Sequence, residues 1–168
     1  MHNVPAEQES PSIILVSACL LGIACRYDVR SRPVTGLCDL AARGVLLPIC
    51  PEVVGGLTTP RPPAEIEGAD AGLDGHAVLD GRSRVICAGG ADVTAQFVMG
   101  AEAALATVQR LGIRKAVLKA HSPSCGSGQI PSGSFDGRRV EGDGVTAALL
   151  KRAGIRVVSE ADQTGGER

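Results

Sequence analysis

The sequence predicts a single α/β domain in which a mostly parallel sheet, with flanking helices, presents a functional site at the C-terminal ends of its strands. Three observations support this fold. The chain has 168 residues, enough to bury one core. Short apolar runs alternate with helical stretches, which is typical of parallel sheets. Three of those runs lead into loops that carry a cysteine, and ligands bind beyond the carboxyl ends of such strands.

The strands are predicted from short runs of branched and aliphatic residues that stop at Gly, Pro or Ser. Because these runs are apolar on both faces, they suit the centre of a parallel sheet. The predicted strands span residues 12–16, 45–49, 115–120 and 156–159.

Three helices are predicted between these strands, and each stops at a glycine. The longest spans residues 92–111 and has apolar residues at spacings of three and four, which indicates one buried face. Shorter helices are expected over 37–43 and 145–153. The alternation of strand, helix and strand favours right-handed crossovers between parallel strands.

Two segments lack a regular pattern. Residues 53–66 are dense in Gly and Pro and carry Arg61 and Glu65, so they form either the wall of a pocket or a plain surface connection. Residues 67–84 are polar, and Asp80-Gly81 predicts a hairpin turn within them. We expect the domain to span 12–160, with flexible tails at 1–11 and 161–168.

The composition argues against nucleic-acid and membrane partners. The net charge is −1, and with one Tyr, two Phe and no Trp the chain has few side chains on which bases stack. Residues 1–10 lack the basic flank of a signal peptide, and the apolar stretch 13–25 is too short to span a bilayer. We therefore expect a cytoplasmic protein with reduced thiols. The sequence leaves the oligomeric state open.

Four of the six cysteines lie in loops rich in Gly, Ser and Pro. They are Cys19, Cys25, Cys50 and Cys125. The other two, Cys38 and Cys87, fall within a predicted helix and an apolar run, where a thiol behaves as a small hydrophobic side chain. Sites built from thiolates alone suit zinc or an iron–sulfur cluster, but the close cysteine pairs of structural zinc sites are missing.

Three interpretations of the loop thiols remain open at this point. A cluster held by three thiolates leaves one iron open for Lewis-acid chemistry, with Glu52 beside it and Ser122 on the other side. Alternatively, the thiols hold zinc, or form a reversible disulfide, in a non-enzymatic sensor. A hydrolase with Cys125 as nucleophile and His121 as base ranks last, because residues so close in sequence rarely reach the required geometry.

Several motifs, in order along the chain, resemble the thiouracil desulfidase family. They are VSACLLG (16–22), CRYD (25–28), CPE (50–52), GGL (55–57), PRPPAEI (60–66), SPSCG (122–126) and GDGVTA (142–147). The resemblance covers residues 13–159, and long motifs in the same order make it specific. Two positions depart from the family pattern. Val29 stands where Gly commonly follows Tyr-Asp, and Pro131-Ser132 stands where Tyr-Asp commonly precedes Gly133.

The resemblance implies an enzyme with a [4Fe-4S] cluster whose open iron takes the sulfur of a thiolated pyrimidine such as 2-thiouracil. Its implied cysteine ligands are Cys19, Cys50 and Cys125, with Cys25 as an alternative to Cys19. Glu52 is implied as the acid/base group and Ser122 as a positioning or proton-relaying hydroxyl. Water replaces the sulfur, which gives uracil and hydrogen sulfide without net oxidation or reduction.

Overall fold

The computed structural model describes residues 12–163 and contains a central four-stranded parallel sheet in the order β2-β1-β5-β8. Two small antiparallel sheets, β3–β4 and β6–β7, lie outside it. The strands are β1 (Ile14–Ser17), β2 (Leu46–Ile49), β3 (Ala64–Ile66), β4 (Val85–Cys87), β5 (Lys115–Leu118), β6 (Gln129–Pro131), β7 (Arg139–Glu141) and β8 (Arg156–Ser159). The predicted α/β fold is confirmed.

The longest helix described is α4, which agrees with the predicted helix at 92–111. The helices are α1 (Thr35–Ala42), α2 (Pro51–Val54), α3 (Gly75–Leu79), α4 (Thr94–Leu111), α5 (Val145–Arg152) and α6 (Glu160–Gln163). Two 3₁₀ helices, Ala18–Leu21 and Ala69–Ala71, lie between them. Within 12–163, no helix is both long and apolar enough to cross a membrane.

The two central strands of this sheet, β1 and β5, are buried on both faces, as expected for mostly apolar strands. Leu15 and Ala116 face a cluster that includes side chains of α4 and α5. Val16 and Val117 point the other way and pack with the first 3₁₀ helix and α1. Pro48 lies in β2, at the edge of the sheet, where the amide that proline lacks is not needed for pairing.

The structure corrects the prediction for residues 67–84, where the expected hairpin is wrong. The segment contains a 3₁₀ helix and α3, and the Asp80-Gly81 turn ends α3. Asp74 caps this helix, because its Oδ1 accepts a hydrogen bond from the His76 amide at 3.0 Å. The strands that do pair antiparallel, β3 and β4, flank the whole segment.

Four further short elements were not predicted. Helix α2 occupies the start of the Gly- and Pro-rich segment, β6 pairs with β7, and α6 follows β8. The expected tail at 161–168 begins within α6, while residues 1–11 and 164–168 lie outside the described residues. Elements of three or four residues carry too little periodicity to be recognised in a sequence.

Candidate metal centre

A cavity of about 460 Å³ opens at the C-terminal edge of the central sheet. Its lining comes from residues that follow β1, β2 and β5, together with β3 and the β6–β7 hairpin. All four loop cysteines line this cavity, namely Cys19, Cys25, Cys50 and Cys125. The strand ends therefore bring together thiols that lie more than 100 positions apart in the sequence.

Cys19 and Cys25 enter the cavity through the loop after β1. Cys19 lies in the 3₁₀ helix that begins where β1 ends, and Gly22 terminates this helix with a left-handed φ of 90°. The Cys25 thiol contacts the thiols of Cys19 and Cys50, and the Cys19 contact is the main cause that raises the pKa of Cys25. Three thiols thus surround the ends of β1 and β2.

Cys50 directly follows β2 and is the N-terminal cap of α2. Pro51 at the first position of this helix loses no hydrogen bond, because amides in the first turn have no partner within a helix. The Cys50 Sγ lies 3.7 Å from the carbonyl oxygen of Cys25. The contact with the Cys25 thiol, followed by burial, raises the pKa of Cys50.

Helix α2 is held in place by direct backbone contact with α4. A Cβ atom on Gly100 of α4 would lie 1.9 Å from the Pro51 carbonyl oxygen, and one on Gly55 would lie 2.0 Å from the Gln96 carbonyl oxygen. Only glycine at both positions allows this approach. The contact fixes α2, and with it Cys50 and Glu52, relative to the longest helix.

Cys125 lies in the loop after β5. The hydroxyl of Ser122 stabilises the fold of this loop. The Ser122 Oγ accepts hydrogen bonds from the amides of Ser124 and Cys125, both at 3.1 Å. Burial raises the pKa of Cys125 to about 12, although the hydroxyls of Ser17 and Ser124 act in the opposite direction. This loop therefore presents a buried, protonated thiol when no cation is nearby.

The protonation of these thiols tests whether the site suits a metal group. Cys25, Cys50 and Cys125 all have raised pKa values, because a thiolate here would be buried or close to another thiol. A metal supplies the missing positive charge and deprotonates the thiols that bind it. Clustered buried thiols without a disulfide therefore fit a thiolate-bound metal group.

Glu52 forms an ion pair with Arg61 at the cavity wall. The Arg61 Nε lies 2.8 Å from Glu52 Oε2, and both side chains are largely buried. The same guanidinium donates to the carbonyl oxygen of Cys25 at 2.9 Å, so it links the carboxylate to the first thiol loop. The Pro-rich segment that carries Arg61 is therefore a pocket wall. Glu52 Oε1 accepts no hydrogen bond from residues 12–163.

The cavity lining is rich in positive charge. Its cationic side chains are Arg26, Arg32, Arg61, Lys119, Arg138 and Arg139, against the carboxylates of Glu52 and Glu65. Lys119 pairs with Glu160, which lies in α6. Arg26, Arg61 and Arg138 are also paired, with Asp28, Glu52 and Asp136. Arg32 and Arg139 have no ion pair among the described residues, and unpaired cations in a partly enclosed site attract anionic groups such as thiolates and sulfide. Sequence reasoning did not select Arg32, Lys119 or Arg139, because isolated basic residues carry no pattern.

The remaining candidates lie in different settings. Cys38 lies in α1, and buried Cys87 ends β4; neither lines the cavity. His121 does line it, next to Ser122.

A second group of ligand-type atoms, formed by Asp74, His76 and Asp143, lies away from the cavity lining. The protein already satisfies these atoms. Asp143 Oδ1 accepts from Lys151 at 2.7 Å, and His76 Nδ1 accepts from Arg152 at 3.0 Å. We therefore interpret this group as a structural network.

Comparison with known proteins identifies the family. The 2-thiouracil desulfurase family model matches residues 14–162. The chain is 45% identical over 148 residues to the uncharacterized protein YbbK of Bacillus subtilis (strain 168), covering 88% of this chain and 95% of the relative. A solved structure, the [4Fe-4S]-dependent thiouracil desulfidase TudS, is 47% identical with a TM-score of 0.80, covering 92% of this chain and 94% of TudS. The chain belongs to the 2-thiouracil desulfurase family.

Proposed function

We propose that this protein is a [4Fe-4S]-dependent desulfidase that replaces the sulfur of a thiolated pyrimidine with oxygen from water. The observation that carries this proposal is the convergence of buried thiols, Glu52 and Ser122 on one cavity, in a chain of this family. For 2-thiouracil the reaction consumes one water and yields uracil and hydrogen sulfide. Atoms balance without an electron donor.

The proposed cluster ligands are one cysteine from each of three strand ends. They are Cys19 after β1, Cys50 after β2 and Cys125 after β5. Cys25 lies against the first two and is the alternative ligand. When bound, a cluster with three cysteine ligands supplies one open iron, a Lewis acid whose soft character suits thiocarbonyl sulfur.

We assign Glu52 as the group that takes a proton from the attacking water. Arg61 holds Oε2, so the carboxylate is fixed while Oε1 is left without a protein hydrogen bond in the described part of the chain. A positioned carboxylate of this kind contributes about 10²–10⁴-fold to a rate. The ion pair with Arg61 is also what a purely structural role would require, so a variant must separate the two roles.

We assign Ser122 as a hydroxyl that donates into the cavity. Its oxygen already accepts two backbone amides, so its lone pairs are occupied and its hydrogen is directed elsewhere. A donor at this position suits the substrate ring or the departing sulfide. Arg32 and Arg139, which line the cavity without an ion pair among the described residues, stabilise the same developing negative charge.

The substrate proposal is a free thiolated base, without a nucleic-acid partner. The cavity of about 460 Å³ is of the size that holds small ligands. We also propose the cytoplasm as the location, because all six cysteines are free and that compartment keeps thiols reduced.

The experiment is anaerobic reconstitution followed by turnover. Brown protein with about four iron and four sulfide per chain, releasing equal amounts of uracil and hydrogen sulfide from 2-thiouracil without a reductant, is the expected result. Colourless protein with one zinc per chain would support the metal-sensor alternative. A requirement for reductant at every turnover would contradict the hydrolytic reaction. Cys38→Ala and Cys87→Ala are the matched controls, since both thiols lie outside the cavity lining.

A further inference from the structure

His121 occupies a strained position on the cavity wall. Its φ is +61°, in the left-handed region that residues with a side chain rarely adopt. The backbone before it is fixed, because the Lys119 amide donates to Ser17 Oγ at 2.8 Å and the Ala120 amide donates to Glu160 Oε2 at 2.5 Å. Ser122, directly after it, accepts two amides. The surrounding structure thus imposes this conformation on His121.

The imidazole of His121 adds a second unfavourable feature to the strained backbone, a buried nitrogen without a hydrogen bond. Its Nδ1 is the one buried side-chain nitrogen or oxygen between residues 12 and 163 that has no hydrogen-bond partner. A glycine at this position would remove both the backbone strain and the unpaired nitrogen. Strain that a smaller residue would relieve, located at a binding cavity, is the kind of outlier from which a functional role is inferred.

The two ring nitrogens have different environments, which favours one tautomer. A buried unpaired N–H is less tolerable than a buried unpaired acceptor, so the hydrogen is better placed on Nε2. Nε2 has no hydrogen bond from the described residues and is not among the buried unpaired atoms, so it remains accessible. Burial, followed by the charges of Arg139 and Lys119, lowers the pKa of His121, which keeps the ring neutral.

A thiolated uracil that is bound through its sulfur offers one strong hydrogen-bond acceptor to the Nε2–H of His121. The ring carries one sulfur, one carbonyl oxygen and two N–H groups. If the sulfur occupies the open iron, the carbonyl oxygen is the remaining strong acceptor. We propose that His121 is a specificity-determining residue whose Nε2–H donates a hydrogen bond to this carbonyl oxygen, an inference that rests on the desulfidase function proposed above.

The test combines two variants with two substrates. His121→Gly removes the donor together with the strain, whereas His121→Gln keeps an amide N–H at a similar reach. 2-Thiouracil has the carbonyl oxygen, and pyrimidine-2-thione lacks it. Binding is followed by spectral titration of the cluster, alongside KM, kcat and iron content. Val29→Gly is the matched control, because Val29 has a similar φ of +59° but does not line the cavity.

We expect His121→Gly to retain iron and thermal stability while its Kd and KM for 2-thiouracil rise about 3- to 10-fold, the range for one neutral hydrogen bond. Its constants for pyrimidine-2-thione should stay unchanged, and His121→Gln should recover most of the lost affinity. Val29→Gly should bind both compounds as the wild-type protein does.

Equal weakening with both compounds, or no weakening with either, would overturn the proposed contact. Loss of iron in His121→Gly would also overturn it, because the residue would then support the cluster and not the substrate. If the wild-type protein with a full cluster fails to desulfurate 2-thiouracil, the proposed function itself falls, and this result is visible before any variant is made.

Discussion

Two cysteines, Cys125 and Cys87, are similarly buried, but only Cys125 lines the cavity. Both are almost fully enclosed, at 5% and 7% exposure. Cys87 ends β4 and its amide pairs with the Ala91 carbonyl, outside the cavity lining. Cys125 follows β5 in a cavity loop, where burial and then the negative charge of Glu52 help to raise the pKa of its thiol. Burial alone therefore does not distinguish the two cysteines; we propose Cys125 as a ligand because loops from several strands converge on it.

The largest expected effect comes from testing this difference directly. Cys19→Ala, Cys50→Ala and Cys125→Ala should each abolish the cluster and all turnover, because the proposed cluster has only these three protein ligands. Cys38→Ala and Cys87→Ala should keep full iron and lose only the stability of a small buried contact, about 1 kcal/mol. Iron and acid-labile sulfide per chain are the measurement. If Cys19→Ala retained iron, Cys25 would replace it in the ligand set.

Features that depend on local sequence were predictable, whereas contacts between distant residues were not. The strand ends were predictable, because apolar runs that stop at Cys with Gly, Ser or Pro mark strands leading into loops. The contact of Gly55 with Gln96 and that of Gly100 with Pro51 were not predictable, since nothing local links residues 41 and 49 positions apart.

Electrostatic detail was equally out of reach. The sequence left Arg61 as either part of a pocket wall or a solvated surface charge, and only the fold brings its Nε to Glu52. The left-handed backbone at His121 could not be predicted either, because a histidine in a sequence does not indicate a positive φ as a glycine does.

The second prediction compares the two carboxylates of the cavity, Glu52 and Glu65. Each has one carboxylate oxygen without a hydrogen-bond partner among the described residues, but their other oxygens differ: Glu52, two residues after Cys50, pairs with Arg61 through Oε2, whereas Glu65 Oε2 accepts the backbone amides of Gly133 and Phe135 at 2.8 and 3.0 Å. Glu52→Gln should keep iron and thiouracil binding while kcat falls about 10²–10⁴-fold, because an amide cannot take the proton of water.

Glu65→Gln is the control for this prediction, and it should lower thermal stability more than kcat. Rates must be normalised to iron content. If Glu52→Gln instead lost cluster while each intact site turned over at the wild-type rate, Glu52 would be a structural partner of Arg61.

The third prediction concerns the contact between α2 and α4. Gly100→Ala places a methyl group 1.9 Å from the Pro51 carbonyl, so α2 must shift, and overpacking of this kind costs about 1–3 kcal/mol. Because α2 follows Cys50 and carries Glu52, we expect lower iron retention together with the loss of stability. Gly36→Ala is the matched control: it lies in α1 with no atom within 4 Å of the new methyl, and should stabilise by up to about 1 kcal/mol. Equal behaviour of the two variants would show that the position of α2 does not control iron retention.

The smallest expected effect concerns Asp143, which lies outside the cavity lining in the network with His76 and Lys151. Asp143 Oδ1 accepts the Gly128 amide at 2.9 Å and Lys151 at 2.7 Å. Burial alone would raise the pKa of Asp143, but these donors outweigh it and lower the pKa below its ordinary value of 3.8. The ionised carboxylate therefore stabilises the fold above about pH 4, and this contribution is lost as the pH falls through the lower folded pKa.

Asp143→Asn should accordingly lower the melting temperature of the metal-free protein by the equivalent of about 1 kcal/mol near neutral pH. The difference from wild type should shrink below pH 3.8, where the unfolded chain takes up the proton first. Asp39→Asn, an exposed carboxylate in α1, is the control and should show no such dependence. At neutral pH, Asp143→Asn with a full cluster should keep the wild-type kcat for 2-thiouracil, because Asp143 does not line the cavity. A changed kcat at full iron content would instead mean that this network positions the loop of Ser122 and Cys125 for the reaction.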